Sequence, residues 1–152
     1  MPDGLYDADI LIWADTQADL LRRLAAGERV NAAIDWPNVI EEVQDVGRSE
    51  LNAFTSHIRQ ALIHLLKLRA WPQSRSVPHW RSEIIGFLAD AEQEFSPSMR
   101  QRVDLEKVYG RALMSVQAAS DESGTPLPLP GVCPYTLDIL LSADLSALGG
   151  NG

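Results

Sequence analysis

The stretch NVIEEVQDVGRSELNAFTSHIRQALIHLLKLRA, residues 38–70, decides the fold. Its apolar residues recur at spacings of three and four, and never alternate in the strand manner. With Glu50 placed at 0° and about 100° per residue, Val39, Ile40, Val43, Val46, Phe54, Ile58, Ala61, Leu65 and Leu68 fall between about −40° and +80°. One core-facing stripe of helix therefore runs for about 48 Å. Gly47 interrupts it and is a place for a kink or a break. Trp71-Pro72 stops the helix near Ala70, while Asp35-Trp36-Pro37 starts it, with Asp35 placed to cap and Pro37 in the first turn.

The same periodicity extends outward on both sides. Upstream, a helix from Asp7 to about Gly27 carries Ile10, Trp13, Gln17, Leu20, Leu21 and Leu24 on one face, and Gly27 suits the C′ position. Downstream of the polar loop Pro72 to Pro78, a helix from about His79 to Phe95 carries Ile84, Ile85, Leu88, Ala91 and Phe95. Ser96-Pro97 then opens a further helix on Met99, Val103, Tyr109, Ala112, Leu113 and Val116, ending near Gly124. Four prolines between Thr125 and Pro134 exclude a regular helix there. Cys133-Pro134-Tyr135-Thr136 opens a short helix to about Leu141. These elements predict an all-α protein, an antiparallel up-down bundle of about four main helices with a C-terminal arm that carries a short helix. A single bundle domain is expected over residues 1–145, with a flexible tail over 146–152 that frays at Gly149-Gly150-Asn151-Gly152.

Composition narrows the functional classes. The chain has 152 residues, 45% hydrophobic and 22% charged, and 13 basic against 21 acidic residues give a net charge of −8. That balance disfavours nucleic acid as a partner. One cysteine, Cys133, excludes an internal disulfide and a Cys-rich zinc site. The apolar runs fall far short of the roughly 20 residues of a membrane span, and no signal peptide pattern opens the chain, so no membrane association and a cytoplasmic location are expected.

One constellation carries possible chemistry. On the long helix Glu50, His57 and His64 repeat every seven residues along the edge of the apolar stripe. Such residues suit a metal or acid–base site. Seven-residue spacing separates neighbours by about 10.5 Å, however, so ligands from another helix would be required. Folding the second hairpin about the 71–78 turn places Glu83 across from His64. This pair reads either as a hydrogen-bonded histidine that fixes the register or as a catalytic or ligating pair. Glu41-Glu42 reads as acid at the positive end of the helix dipole, or as carboxylate ligands. Thus His64 and Glu83 are the catalytic candidates, and Glu42, Glu50, His64 and Glu83 the metal candidates. No cofactor-binding motif is present and no cofactor is assigned. Trp13 belongs to a core stripe, Trp36 to a helix start, and Trp71 and Trp80 are expected to pack on each other or under their loop. Cys133 stands near a helix start, where a lowered thiol pKa competes with a role as a small buried hydrophobe.

Several motifs in series carry a resemblance. Tyr6-Asp7-Ala8-Asp9 precedes Trp13, Gln17 and Leu20-Leu21-Arg22. Next come Ile40-Glu41-Glu42-Val43, Gly47-Arg48-Ser49-Glu50 and His64-Leu65-Leu66-Lys67. Trp80, Glu83-Ile84, Ser96-Pro97-Ser98-Met99-Arg100, Tyr109, Glu122-Ser123-Gly124 and Cys133-Pro134-Tyr135-Thr136 complete the series. From about Tyr6 to Asp144 the chain resembles the bacterial family called domain of unknown function twenty-nine. It departs where that family reads Glu-Thr-Gly, having Glu122-Ser123-Gly124, and where it carries Gln-Arg after the Glu-Ile element, having Gly86-Phe87. The resemblance implies a helical bundle in a bacterial cytoplasm and no activity.

Three functional readings follow. The first is a non-enzymatic interaction or assembly protein, forming a homodimer or binding an unidentified protein partner through an apolar helix face. The second is a metal-binding or enzymatic bundle using His64 and carboxylates on facing helices. The third, resting on charge alone, is an acidic, antitoxin-like neutraliser of a basic partner.

Overall fold

A computed structural model describes residues 4–142 and Leu148. The protein is all-α, with four long helices. The described elements are α1 (Leu5–Ala8), α2 (Ile10–Ala25), a 3₁₀ turn (Asn31–Ala33), α3 (Trp36–Ala70), α4 (Val77–Glu94), α5 (Met99–Arg102), α6 (Leu105–Gln117) and α7 (Leu137–Leu141). The only β-structure among the described residues is an isolated bridge between Asp121 and Gly124. The boundary expected at residue 145 and the tail, Leu148 aside, lie outside the described residues. The chain divides into two compact units, residues 1–49 and 50–152.

Local chemistry sets the helix ends. The first expected helix is two, because extended Asp9 (φ −153°) interrupts it and accepts the Ile12 N–H through its side chain at 3.1 Å, capping α2. Gly27 takes the left-handed φ of 93° just beyond the end of α2, a conformation that costs other residues a clash at Cβ. The expected fourth helix is likewise two. Val103 and Asp104 leave helical geometry, and the Asp104 carboxylate caps α6 by accepting the Lys107 N–H at 3.2 Å. Helix α6 then stops at Gln117, short of Gly124. By contrast, α3 passes through Gly47 as one continuous helix of 35 residues. A Cβ added at Gly47 would meet nothing within 4 Å. Its own chain therefore gives no steric reason for this glycine, which costs a helix interior about 1 kcal/mol relative to alanine.

In the first unit the core is small. Trp13, Gln17 and Ile34 are its buried residues. The Trp13 indole N–H donates to Asp35 Oδ2 at 2.9 Å, and the Asp35 N–H donates to Gln17 Oε1 at 2.8 Å. Tyr6 packs edge-on against Trp13 with centroids 4.9 Å apart. The Trp36 indole donates to Asn31, at the start of α3 as expected.

The second unit holds the main core. Phe54, Ile58, Ala61, Leu62, Leu65 and Leu66 of α3 are all essentially buried. They pack with Ile84, Leu88 and Ala91 of α4, Tyr109, Ala112 and Val116 of α6, and Leu140 of α7. Burial of Leu62 and Leu66 widens the apolar face beyond the stripe, since a helix covered on two sides needs apolar residues on both. Trp71 and Trp80 pack together across the hairpin turn at 6.3 Å, as their spacing predicts.

One expectation fails here. The stripe drawn along α3 is not buried throughout: Ile40, Val43 and Val46 are exposed, Val43 to 69%. Lengths explain the difference. An 18-residue α4 spans about 27 Å and a 35-residue α3 about 52 Å, so an antiparallel partner covers only half of it. The tilted contact of Phe54 with Phe95, just past the end of α4, marks where that cover stops.

Candidate functional site

The residues singled out by pattern do not converge. In the first unit Glu42 accepts a short hydrogen bond from the Tyr6 hydroxyl. That bond, reinforced by desolvation and by nearby acids, pushes the Tyr6 phenol up to about 12. In the second unit Glu50 is exposed on α3. Fourteen residues, about 21 Å of helix, separate it from His64.

The pairing expected between His64 and Glu83 does not form. The His64 Nδ1–H donates instead to the carbonyl of Gln60 at 2.7 Å, and its ring lies 5.5 Å from Phe87. Glu83 comes within 4.0 Å of His79, one turn earlier on α4. The expected kind of contact appears one heptad away, at His57, whose Nδ1 meets Glu94 Oε2 at 2.8 Å. His57 Nε2 also lies 3.9 Å from Asp90, the position related to Glu83 by that same heptad. The register read from the turn is thus present, but Glu94, one turn beyond Asp90, reaches the imidazole more closely. Neither His64 nor Glu83 is sealed in the core. No group of three or more His, Cys, Asp or Glu among the described residues is placed to hold a metal ion.

Two of the family-like motifs, Glu122-Ser123-Gly124 and Cys133-Pro134-Tyr135-Thr136, meet the end of the α3–α4 hairpin. Ser74, buried, donates from Oγ to Asp121 Oδ1 at 3.1 Å. Asp121 Oδ2 accepts the Ser123 N–H at 2.9 Å and also the Ser123 hydroxyl. These serine contacts, with a smaller attraction from Lys67, hold the Asp121 carboxyl below the usual range despite desolvation. Gly124 takes a φ of 117°, and its carbonyl accepts the Trp71 indole N–H at 2.8 Å. Three residues later the Leu127 N–H donates to the Ala70 carbonyl at 2.9 Å, satisfying a carbonyl at the end of α3. The Arg69 guanidinium lies 5.4 Å from the centre of the Tyr135 ring and donates to its hydroxyl at 3.2 Å. Burial pushes the Cys133 thiol up, opposite to the lowered value that its place near a helix start offered.

Sequence reasoning missed Ser74, Arg69 and Asp121 because each partner lies more than 40 residues away. The Asp-x-Ser-Gly turn at 121–124 was the one local signal. Asp35, read only as a cap, is also the hub of the first unit. The Asn38 side chain and then the Trp13 indole hold its carboxyl low against desolvation. A carboxyl depressed in the fold contributes stability above its unfolded pKa near 3.9 and loses it as pH falls through the folded value. Unfolding midpoints in urea should therefore drop as pH is lowered below about 4. Asp35→Asn with Asp121→Asn should flatten that drop; an unchanged slope would show that these two carboxyls do not set it.

A groove of about 390 Å³ lies in the second unit between α4 and α7, lined by Ile84, Leu88, Glu92, Leu140 and Leu141 among others. It holds none of the candidate residues. No helix among the described residues is long and apolar enough to cross a membrane.

The fold defines an all-helical protein whose α3–α4 hairpin is braced by hydrogen bonds from Ser74, Trp71 and Arg69. The chain belongs to the family described as Domain of unknown function DUF29, whose model matches residues 5–146. It is similar to the crystal structure of an alpha-helical protein of unknown function from Rhodospirillum rubrum. That likeness has 28% identity and a TM-score of 0.68, and covers 93% of this chain and 92% of the other. No curated protein matches the chain.

Proposed function

We propose that this chain is a non-enzymatic helical interaction or assembly protein that works through the first half of α3. One observation carries the reading. Trp36, Ile40, Val43 and Val46 stand 37 to 69% exposed on the stripe that, from Phe54 onward, forms a buried core. An amphipathic face of that kind is retained in a folded protein where something packs on it. Three of the charged residues of this segment, Glu41, Asp45 and Arg48, lie on the back of the helix, and Glu42, on its flank, accepts a hydrogen bond from the Tyr6 hydroxyl. On the back Arg48 pairs with Glu41 at 2.8 Å and with Asp45 at 2.5 Å. The stripe itself is left uncharged from Trp36 to Ser49.

A photo-crosslinking residue at position 43, compared with one at position 41 on the back face, tests the reading in cells. Adducts at 43 that are absent at 41, and that disappear with Ile40→Glu, are the expected result. Equal labelling at the two positions, or none at either, would overturn it.

A further inference from the structure

We infer that the partner covering this stripe is a second copy of the chain, packed antiparallel about a two-fold axis near Val43. The inference rests on the interaction reading above and names its partner. Three observations point to self-association.

The first is the symmetry of the stripe. Pairing α3 with itself about Val43 sets Val43 on Val43, Ile40 against Val46, and Val39 against Gly47 of the other copy. Ile40 then meets the smaller Val46 and Val39 meets Gly47, each contact made twice about the axis, as an isologous interface requires. Gly47, where an added Cβ meets nothing in its own chain, acquires a use: it lets the facing helix approach closely.

The second is area. The four exposed residues present on the order of 400 Å² of apolar surface per copy, and interface cores are about 65% apolar. The implied contact is about 600 Å² per copy, near the lower edge of specific interfaces. A dimer of modest, concentration-dependent stability is expected.

The third is charge. Each chain carries −8, so a partner held by electrostatics would be basic, yet the stripe offers such a partner no carboxylate before Glu50. Antiparallel alignment keeps the two Glu50 carboxylates about 21 Å apart, well beyond a Debye length of about 8 Å. A parallel pair would set them side by side. Association of two acidic chains through a seam that is apolar from Val39 to Gly47, with Glu50 of each copy at its end opposite Trp36 of the other, tightens as salt screens their repulsion, whereas binding to a basic partner weakens.

Sedimentation velocity on the full chain, from low micromolar to several hundred micromolar, measures this directly. The wild type should pass from monomer to a species of twice 16.7 kDa, and more readily at high salt. Val43→Glu should weaken the association at least tenfold while leaving the circular dichroism melt unchanged. In a Cys133→Ser background, Val43→Cys should form an interchain disulfide under mild oxidation and Glu41→Cys should not, because only the two-fold contact brings like residues within disulfide reach. A chain that stays monomeric throughout, or that crosslinks equally at 41 and 43, would overturn the inference. A monomer that still gives position-43 adducts of another mass in cells would overturn self-pairing and leave the interaction reading standing. Absence of adducts would remove both.

Discussion

Phe54→Ala is expected to lower the unfolding free energy by about 3–5 kcal/mol, whereas Val43→Ala, on the same stripe of the same helix, should change it by less than about 0.5 kcal/mol in the monomer. Phe54 is fully buried and packs against the Phe95 ring in a tilted arrangement with centroids 5.6 Å apart. Removing its ring takes away the transfer free energy of the ring and leaves a cavity whose walls are helices that cannot collapse freely. Val43 already stands in water over most of its surface, so truncation loses little. Urea melts at low protein concentration report both values. If the two variants cost the same, the division of the stripe into a covered and an uncovered half is wrong. At high concentration the Val43 variant should become the more costly of the two relative to its dilute value, because a dimer contributes stability by mass action.

That contrast shows what was and was not legible in the residues. Periodicity located the apolar face of α3 along its whole length, and Trp71-Pro72 fixed its end. Burial of that face depends on something periodicity does not carry, namely whether another element is long enough to lie on it. The 18 residues of α4 answer that only once the hairpin is built. Helix breaks at Asp9 and Asp104 were hidden for a related reason. Each sits inside an apolar pattern that continues past it, and the capping side chain, not the hydrophobic spacing, ends the helix there.

The candidate site was less legible still. His57 and His64 share one helix edge and one heptad relation, and the sequence treats them alike. What separates them is that Glu94 reaches His57 at 2.8 Å, while His64 faces Phe87 and turns its ring N–H to the Gln60 carbonyl. Likewise, motifs shared with the family look equally functional on paper, yet Gly124 and Tyr135 spend their hydrogen bonds on joining segments of the second unit. A motif of buried, mutually satisfied polar groups specifies a fold as strongly as a catalytic set specifies a reaction. The two are told apart only by where the partners lie.

Trp13→Ala should melt the first unit while sparing the second. Trp13 is the largest of the three buried residues among the described residues of the first unit and touches both of the features that organise it, the Tyr6 ring and the Asp35 carboxylate. Truncation removes about 3–5 kcal/mol of burial and also withdraws a donor from a carboxylate that then relies on Asn38 alone among side chains. Few buried contacts remain to resist opening, since Ile34 and Gln17 are the only others among the described residues of that unit. The second unit has its own core, which runs in sequence from Phe54 to Leu148. Hydrogen exchange should accordingly show protection lost across α2 and the first turns of α3, with amides of α4 and α6 keeping their rates. Uniform loss of protection in α2, α4 and α6 would instead mean that the chain unfolds as one cooperative whole. Asp35→Ala should reproduce the pattern with smaller amplitude, because it leaves the indole buried and only its N–H unpaired.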